Sequence, residues 1–211
     1  MERKFIVVRE LSFLLALLCC SDALESPPFT VVHSEVDVEI RLYKELLWMS
    51  AQVQGATSFE KSTEDGFHRL YQYVHGANAN SSRLMITAPI LTTMAQAPRG
   101  SDYTVRLYVP EKHEGAPPQP YAELDLHLDK WKTRCIAVRR FSGFAKDDNI
   151  NKEKEALVSR LNKILDGKNA VLGDKSSYAI AQYNASSHLS GRLNEVWINV
   201  SGYASGGCPS Y

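Results

Sequence analysis

Six histidines, four cysteines and a small set of aromatic and basic side chains are the residues of this 211-residue chain that could do chemistry. His33, His68, His75, His113, His127 and His188 include no pair spaced i, i+4. His68 and His75, seven apart, would stand about 10 Å apart along a helix, too far to hold one ion. No H-E-x-x-H, C-x-x-C, phosphate loop, G-x-G-x-x-G or G-x-S-x-G occurs, so the motif-borne chemistries of zinc hydrolysis, thiol redox, nucleotide binding and serine catalysis lose their local support. Binding is expected rather than catalysis. His188 and Arg192 share the long connection "YNASSHLSGRLNEVW", which suits a rim beside a ligand. A flat, apolar, anionic ligand needs an apolar wall and such a rim. Phe67, Tyr71 and the uncharged run "LMITAPILTTM" could supply the wall, although the same side chains suit a plain core.

These residues need a compartment and a scaffold. The chain opens with Arg3, Lys4 and Arg9 before "LSFLLALLCC" and then Ser21, Asp22 and Ala23, the layout of a secretory signal, and cleavage after Ala23 is expected. The apolar stretch is too short for a bilayer core, so an extracellular protein without a membrane span is expected. Cys19 and Cys20 leave with the signal. The remaining Cys135 and Cys208, in an oxidising compartment, suggest one disulfide; a free Cys135 with Cys208 paired to another chain is the alternative, and a monomer is expected. Secretion gives meaning to three sequons, at Asn80, Asn184 and Asn199, of which Asn80 lies in the polar run "GANANSS". With 24 basic and 24 acidic residues, no charge excess argues for nucleic acid.

The periodicities run through one order of elements twice. Residues 36–42 alternate, with Val36, Val38, Ile40 and Leu42 on one face and Asp37, Glu39 and Arg41 on the other, a half-buried strand. A strand over 47–53 follows, then a capping box at Thr57-Ser58-Phe59-Glu60 and a helix ending at Gly76. Strands over 84–94 and 103–109 complete the unit; Pro89 must lie at an edge, a strand end or a bend of the first. After the linker "PEKHEGAPPQP" come strands at 124–128 and 134–141, a helix over 150–165 that starts beside Asp147 and Asp148, and strands over 178–183 and 193–200. The chain thus divides into a signal at 1–23, a segment at 24–35, a domain at 36–200 made of repeats at 36–110 and 121–200, and a tail at 201–211. Each ββαββ unit leaves one sheet face bare, and joining the two buries it. The fold expected is α+β, a distorted eight-stranded β-barrel flanked by two helices, with a two-sheet sandwich as the alternative.

In order along the chain, "VEIRLYKELLW", "GFHRLYQYVHGAN", "LMITAPIL", "YVPEKHEGAPPQP", "RRFSGFAK" and "LNEVWINV" resemble the SOUL haem-binding protein family over about residues 31–200. The resemblance implies the same pseudo-duplicated barrel and the binding of haem or a related tetrapyrrole without catalysis. It places Phe67, Leu70 and Tyr71 on the pocket wall. Leu42 stands where some relatives carry an axial histidine, Glu64 and Gln72 where others carry basic side chains, and His188 where a lysine occurs. His188 is therefore the expected axial ligand if iron is bound at all. A secreted scaffold that keeps the barrel without strong haem binding, presenting the amphipathic "EALVSRLNKILDG" to a partner, is the other reading.

Overall fold

The computed structural model describes residues 24–97, 100–110, 116–166, 171–173, 177–183, 191–203 and 207–209. The expected signal segment, His113, Asn184 and His188 lie outside them. The elements are β1 (Thr30–Ser34), β2 (Val38–Tyr43), β3 (Leu46–Ala56), α1 (Phe59–Val74), β4 (Ile90–Ala97), β5 (Gly100–Val109), a 3-10 turn (Ala122–Leu124), β6 (Leu126–Trp131), β7 (Arg134–Ser142), α2 (Ile150–Ile164), β8 (Val171–Leu172), β9 (Tyr178–Gln182) and β10 (Leu193–Ser201). The repeated order is β2-β3-α1-β4-β5 and then β6-β7-α2-β9-β10.

All ten strands join one antiparallel sheet ordered β1-β2-β7-β10-β9-β4-β5-β3-β6, with β8 paired to β10 off this path. The sequence pattern expected eight strands in a closed ring; β1 and β8 are additional, and among the described residues no pairing joins β1 to β6. The sheet is nonetheless strongly curled, and two short links require it. Lys44 and Glu45 alone connect β2 to β3, and Lys132 and Thr133 alone connect β6 to β7. Each pair of strands is six places apart in the sheet order, about 29 Å if the sheet were flat, whereas two linking residues reach about 11 Å. Curling brings the strands together without closing the ladder.

The convex face carries the helices. α2 covers Val38, Ile40, Ala137, Ile180, Val196 and Ile198; its apolar stripe, Leu157, Leu161 and Ile164, is buried there. α1 covers Met49, Ala51, Val105 and Leu107 through Leu70, Tyr73 and Val74. It approaches β5 so closely at Gly66 that a Cβ there would come within 2.4 Å of Val105 Cγ2. Side chains alternate in strands, so the concave face holds the other set: Tyr43, Trp48, Leu91, Tyr108, Ile136, Val138, Ala179, Ala181 and Trp197, with Trp131 against them. The strand over 36–42 is therefore not half-buried. Val36 is fully exposed, ahead of the strand, while Arg41 on the supposedly polar face is buried.

Three local readings also change. The run 84–94 becomes a strand from Ile90 onward, with Pro89 just before it; a residue without an N–H is tolerated at a strand start. Thr87 ties the preceding segment down by donating to the Tyr108 carbonyl at 2.8 Å. The first helix is capped by Ser58, whose hydroxyl accepts from the Lys61 N–H, rather than by a box spanning Thr57 and Glu60. Asp147, expected at the start of the second helix, instead serves the first: its carboxylate accepts from the Ser58 hydroxyl at 2.8 Å and from the backbone N–H groups of Phe59 and Glu60. One repeat thus caps the helix of the other. Partial burial opposes ionisation of Asp147, but these donors outweigh it and hold its pKa below the ordinary carboxylate value. Its contribution is complete above that ordinary value and fades as pH falls through the depressed one. Asp147→Ala should cost about 1 kcal/mol in urea unfolding at pH 7, and less at pH 3; a cost independent of pH would refute the charged cap.

Candidate functional site

The outward side of α1 carries an aromatic strip with a four-residue period. The Phe67 and Tyr71 ring centroids lie 6.0 Å apart, edge to face, and the Tyr71 and His75 rings stack at 3.8 Å. Spacing of i, i+4 puts these side chains above one another on one helical face. Tyr71 is 43 % exposed, and Met85, on the segment returning from the helix, is 69 % exposed. Phe67, Ile86 and Ile90 are half-buried against the α1 core. His75 Nδ1 lies 2.8 Å from the Tyr71 carbonyl. A carbonyl accepts, so Nδ1 carries the hydrogen and the neutral ring keeps Nε2 as its acceptor.

The other expected site residues fall elsewhere. Leu70 is 0 % exposed, so it supports the strip from beneath. Arg192 is buried at the start of β10, its guanidinium 4.0 Å from the Phe144 ring. Phe144 belongs to the connection leading to α2, whereas α1 packs on β3, β4 and β5; Arg192 is not brought to the strip. Glu64, His68 and Gln72 are exposed on α1. Asn80 and Asn199 are both exposed. Cys135 and Cys208 are bonded to each other across 73 residues of chain, tying the C-terminal tail to β7.

The concave face holds a charge network that alternation alone did not reveal. Arg41, 1 % exposed, donates through Nη1 and Nη2 to both oxygens of Glu195, at 3.0 and 2.9 Å, and through Nε to Glu39 at 2.7 Å. Glu195 also accepts from the Tyr183 hydroxyl and the Trp197 indole, each at 2.8 Å, and from Arg140 at 3.4 Å. The Phe29 ring closes over the Arg41 guanidinium at 4.2 Å. Burial disfavours the Arg41 charge, but the Glu195 bonds overcome this and raise its pKa; burial, with Glu195 alongside, raises Tyr183. Every charge here is paired, the condition under which buried ions persist. The one visible hint in the sequence is Glu195, a lone acid inside the apolar "LNEVWINV".

Among the described residues no group of three His, Cys, Asp or Glu side chains is arranged to hold a metal ion, and no helix is long and apolar enough to cross a membrane. The family model described as "SOUL heme-binding protein" matches residues 24–199. Heme-binding protein 2 of Homo sapiens is 30 % identical over 164 residues, 76 % of each chain. Heme-binding protein 1 of Xenopus laevis is 24 % identical over 166 residues, covering 77 % of this chain and 83 % of its own. In fold alone, the crystal structure of the EcmrR C-terminal domain is similar, with a TM-score of 0.52 at 12 % identity over 78 % of this chain and 96 % of that one. With most of its length matched by the family model, including the strip on α1 and the Glu195 network, the chain belongs to the SOUL heme-binding protein family.

Proposed function

We propose that this chain is a secreted, non-catalytic tetrapyrrole-binding protein that lays the porphyrin ring against the outward aromatic strip of α1, on the outside of an opened, distorted barrel. The observation that carries this is the Phe67–Tyr71–His75 strip on the outward side of α1, where Tyr71 is 43 % exposed. It is an aromatic surface on a helix whose opposite side is already committed to the core, and the relatives named for haem binding support the ligand class. The exposed Tyr71 ring, stacked on His75, fits a porphyrin face. Haem would bring an iron centre open to axial ligands; this chain contributes ring contact, so burial at roughly 25 cal/mol per Å² dominates. The Cys135–Cys208 bond supports an oxidising destination, with residues 1–23 as the leader and exposed Asn80 as a glycan site.

Titrating the mature protein with metal-free protoporphyrin tests the reading. Saturable binding is expected, weakened about tenfold in Tyr71→Ala, the loss of one large ring contact. Unchanged affinity in that variant would move the site off α1.

A further inference from the structure

Residues 24–29 precede β1 as an irregular segment, and both of its ends are fastened, to strands far apart in the sheet. At one end the Glu25 carbonyl accepts from the Ala88 N–H at 2.9 Å, just ahead of β4. At the other, Phe29 adjoins Thr30, the register partner of Leu42, and its ring lies 5.5 Å from the Tyr43 ring and 4.2 Å from the Arg41 guanidinium. β1 and β4 are five places apart in the sheet order, about 24 Å along a flat sheet, whereas the chain from Glu25 to Phe29 spans at most about 14 Å. The segment therefore cuts across the concave opening instead of following the sheet. It also seals what lies beneath. Phe29 is 43 % exposed, yet Arg41 and Tyr43 under it are each 1 % exposed. The Tyr43 ring stands 5.2 Å from Trp197, and Trp197 borders a cavity of about 190 Å³ on the concave face, with Thr93, Arg106, Trp131, Ile136 and Ala179 around it. The register puts the same cavity behind β2, since Ile136 pairs with Arg41. The segment is lightly built for this place: Leu24, Ser26, Pro28 and Phe29 are exposed, and Pro27 and Pro28 have no N–H to give to a neighbouring strand. Segments with few buried contacts open at free energies well below that of global unfolding.

We propose that residues 24–29 are a lid on the concave interior. They pivot where β1 begins, lifting Phe29 from Arg41 and Tyr43 and Glu25 from Ala88, and so admit small solutes toward Trp197 and the cavity beside it. Closed, the lid keeps the Arg41–Glu195 pair out of water; open, it wets that pair. The volume behind it lies below the ~300 Å³ at which drug-sized ligands begin to fit, so the lid serves small solutes and not a porphyrin, and it is independent of the strip on α1, which packs on the convex face.

Native-state hydrogen exchange reads the pivot at the Ala88 amide. Its protection should be at least about tenfold below that of Leu91 within β4 and nearly independent of urea below the unfolding transition, as for a local opening that exposes little surface. Phe29→Ala, with its thermal unfolding recorded to show that it folds, should cut Ala88 protection about tenfold further, the loss of one ring contact and one cation–π contact, because both ends lift together. The chain's three tryptophans, Trp48, Trp131 and Trp197, all lie on the concave face, so acrylamide, a small neutral solute, should quench the folded variant more strongly than the wild type. Ala88 protection equal to that of Leu91 with the same urea dependence, Ala88 protection unmoved in folded Phe29→Ala, or unchanged quenching in that variant would each overturn the proposal.

Discussion

Arg41→Ala is expected to lower the unfolding free energy by about 3–5 kcal/mol, the cost of leaving a buried charge without its partner. The stranded group would be Glu195, which loses two hydrogen bonds from Arg41 while remaining 2 % exposed. Tyr183, Trp197 and Arg140 keep some stabilisation on it, so the lower half of that range is the better expectation. Glu195→Ala should be at least as severe, because Arg41, Tyr183 and Trp197 lose one shared acceptor together. The two losses should not add: in a double-mutant cycle the coupling should be about 2 kcal/mol or more. Replacing both partners by apolar residues, as in Arg41→Met with Glu195→Leu, should recover most of the stability, since the desolvation cost disappears with the pair. Urea unfolding of the wild type, the two single variants, the double alanine variant and the Met/Leu variant decides this. Arg41→Ala within about 1 kcal/mol of the wild type would show that the network is solvated and contributes little.

Removing the Cys135–Cys208 bond should cost up to about 4 kcal/mol by the chain-entropy relation for a loop of 73 residues, less whatever residual order the unfolded chain retains. The bond holds the tail where Cys208 and Tyr203 pack into the α2-side core against Cys135 and Val200. Cys208→Ser should therefore loosen residues beyond β10 first and lower the unfolding midpoint, and dithiothreitol should reproduce the shift in the wild-type protein but leave the variant unmoved. Secreted protein should run as a monomer without reductant and show no titratable thiol. A reducible dimer would mean that Cys208 pairs between chains.

Much of this architecture was written in local pattern. The repeated ββαββ order, both helices and the core stripe of α2 follow from 3.6- and 2-residue periodicities, because each element had one apolar face with an obvious place to go. What local pattern could not carry was the meaning of the second face. In β2, Glu39 and Arg41 alternate with Val38 and Ile40 as solvent-facing residues would, yet the curl of the sheet encloses them; the partner that makes this tolerable, Glu195, lies 154 residues away. The same holds for Arg106 with Asp129, and for Asp147, which reads as the cap of the helix it precedes but bonds to the other one. The ring closure expected from eight strands failed for a different reason: two-residue links pull distant strands together without making hydrogen bonds between the sheet's ends. On α1, spacing put Phe67 and Tyr71 on one face but did not join His75 to them, although it stacks on Tyr71; Arg192, expected beside them, lies instead against Phe144.

The central claim is that ring burial on α1, without an iron bond, gives this protein its ligand. It is tested most directly by titrating the mature wild-type chain in parallel with haemin, followed by the Soret band, and with metal-free protoporphyrin, followed by porphyrin fluorescence. Saturation by both, with dissociation constants within about tenfold of one another, a difference of about 1.4 kcal/mol, is the expected result. Tight haemin binding with no measurable protoporphyrin binding would contradict it and assign the affinity to an axial ligand, and failure of both to bind would contradict tetrapyrrole binding on this face altogether.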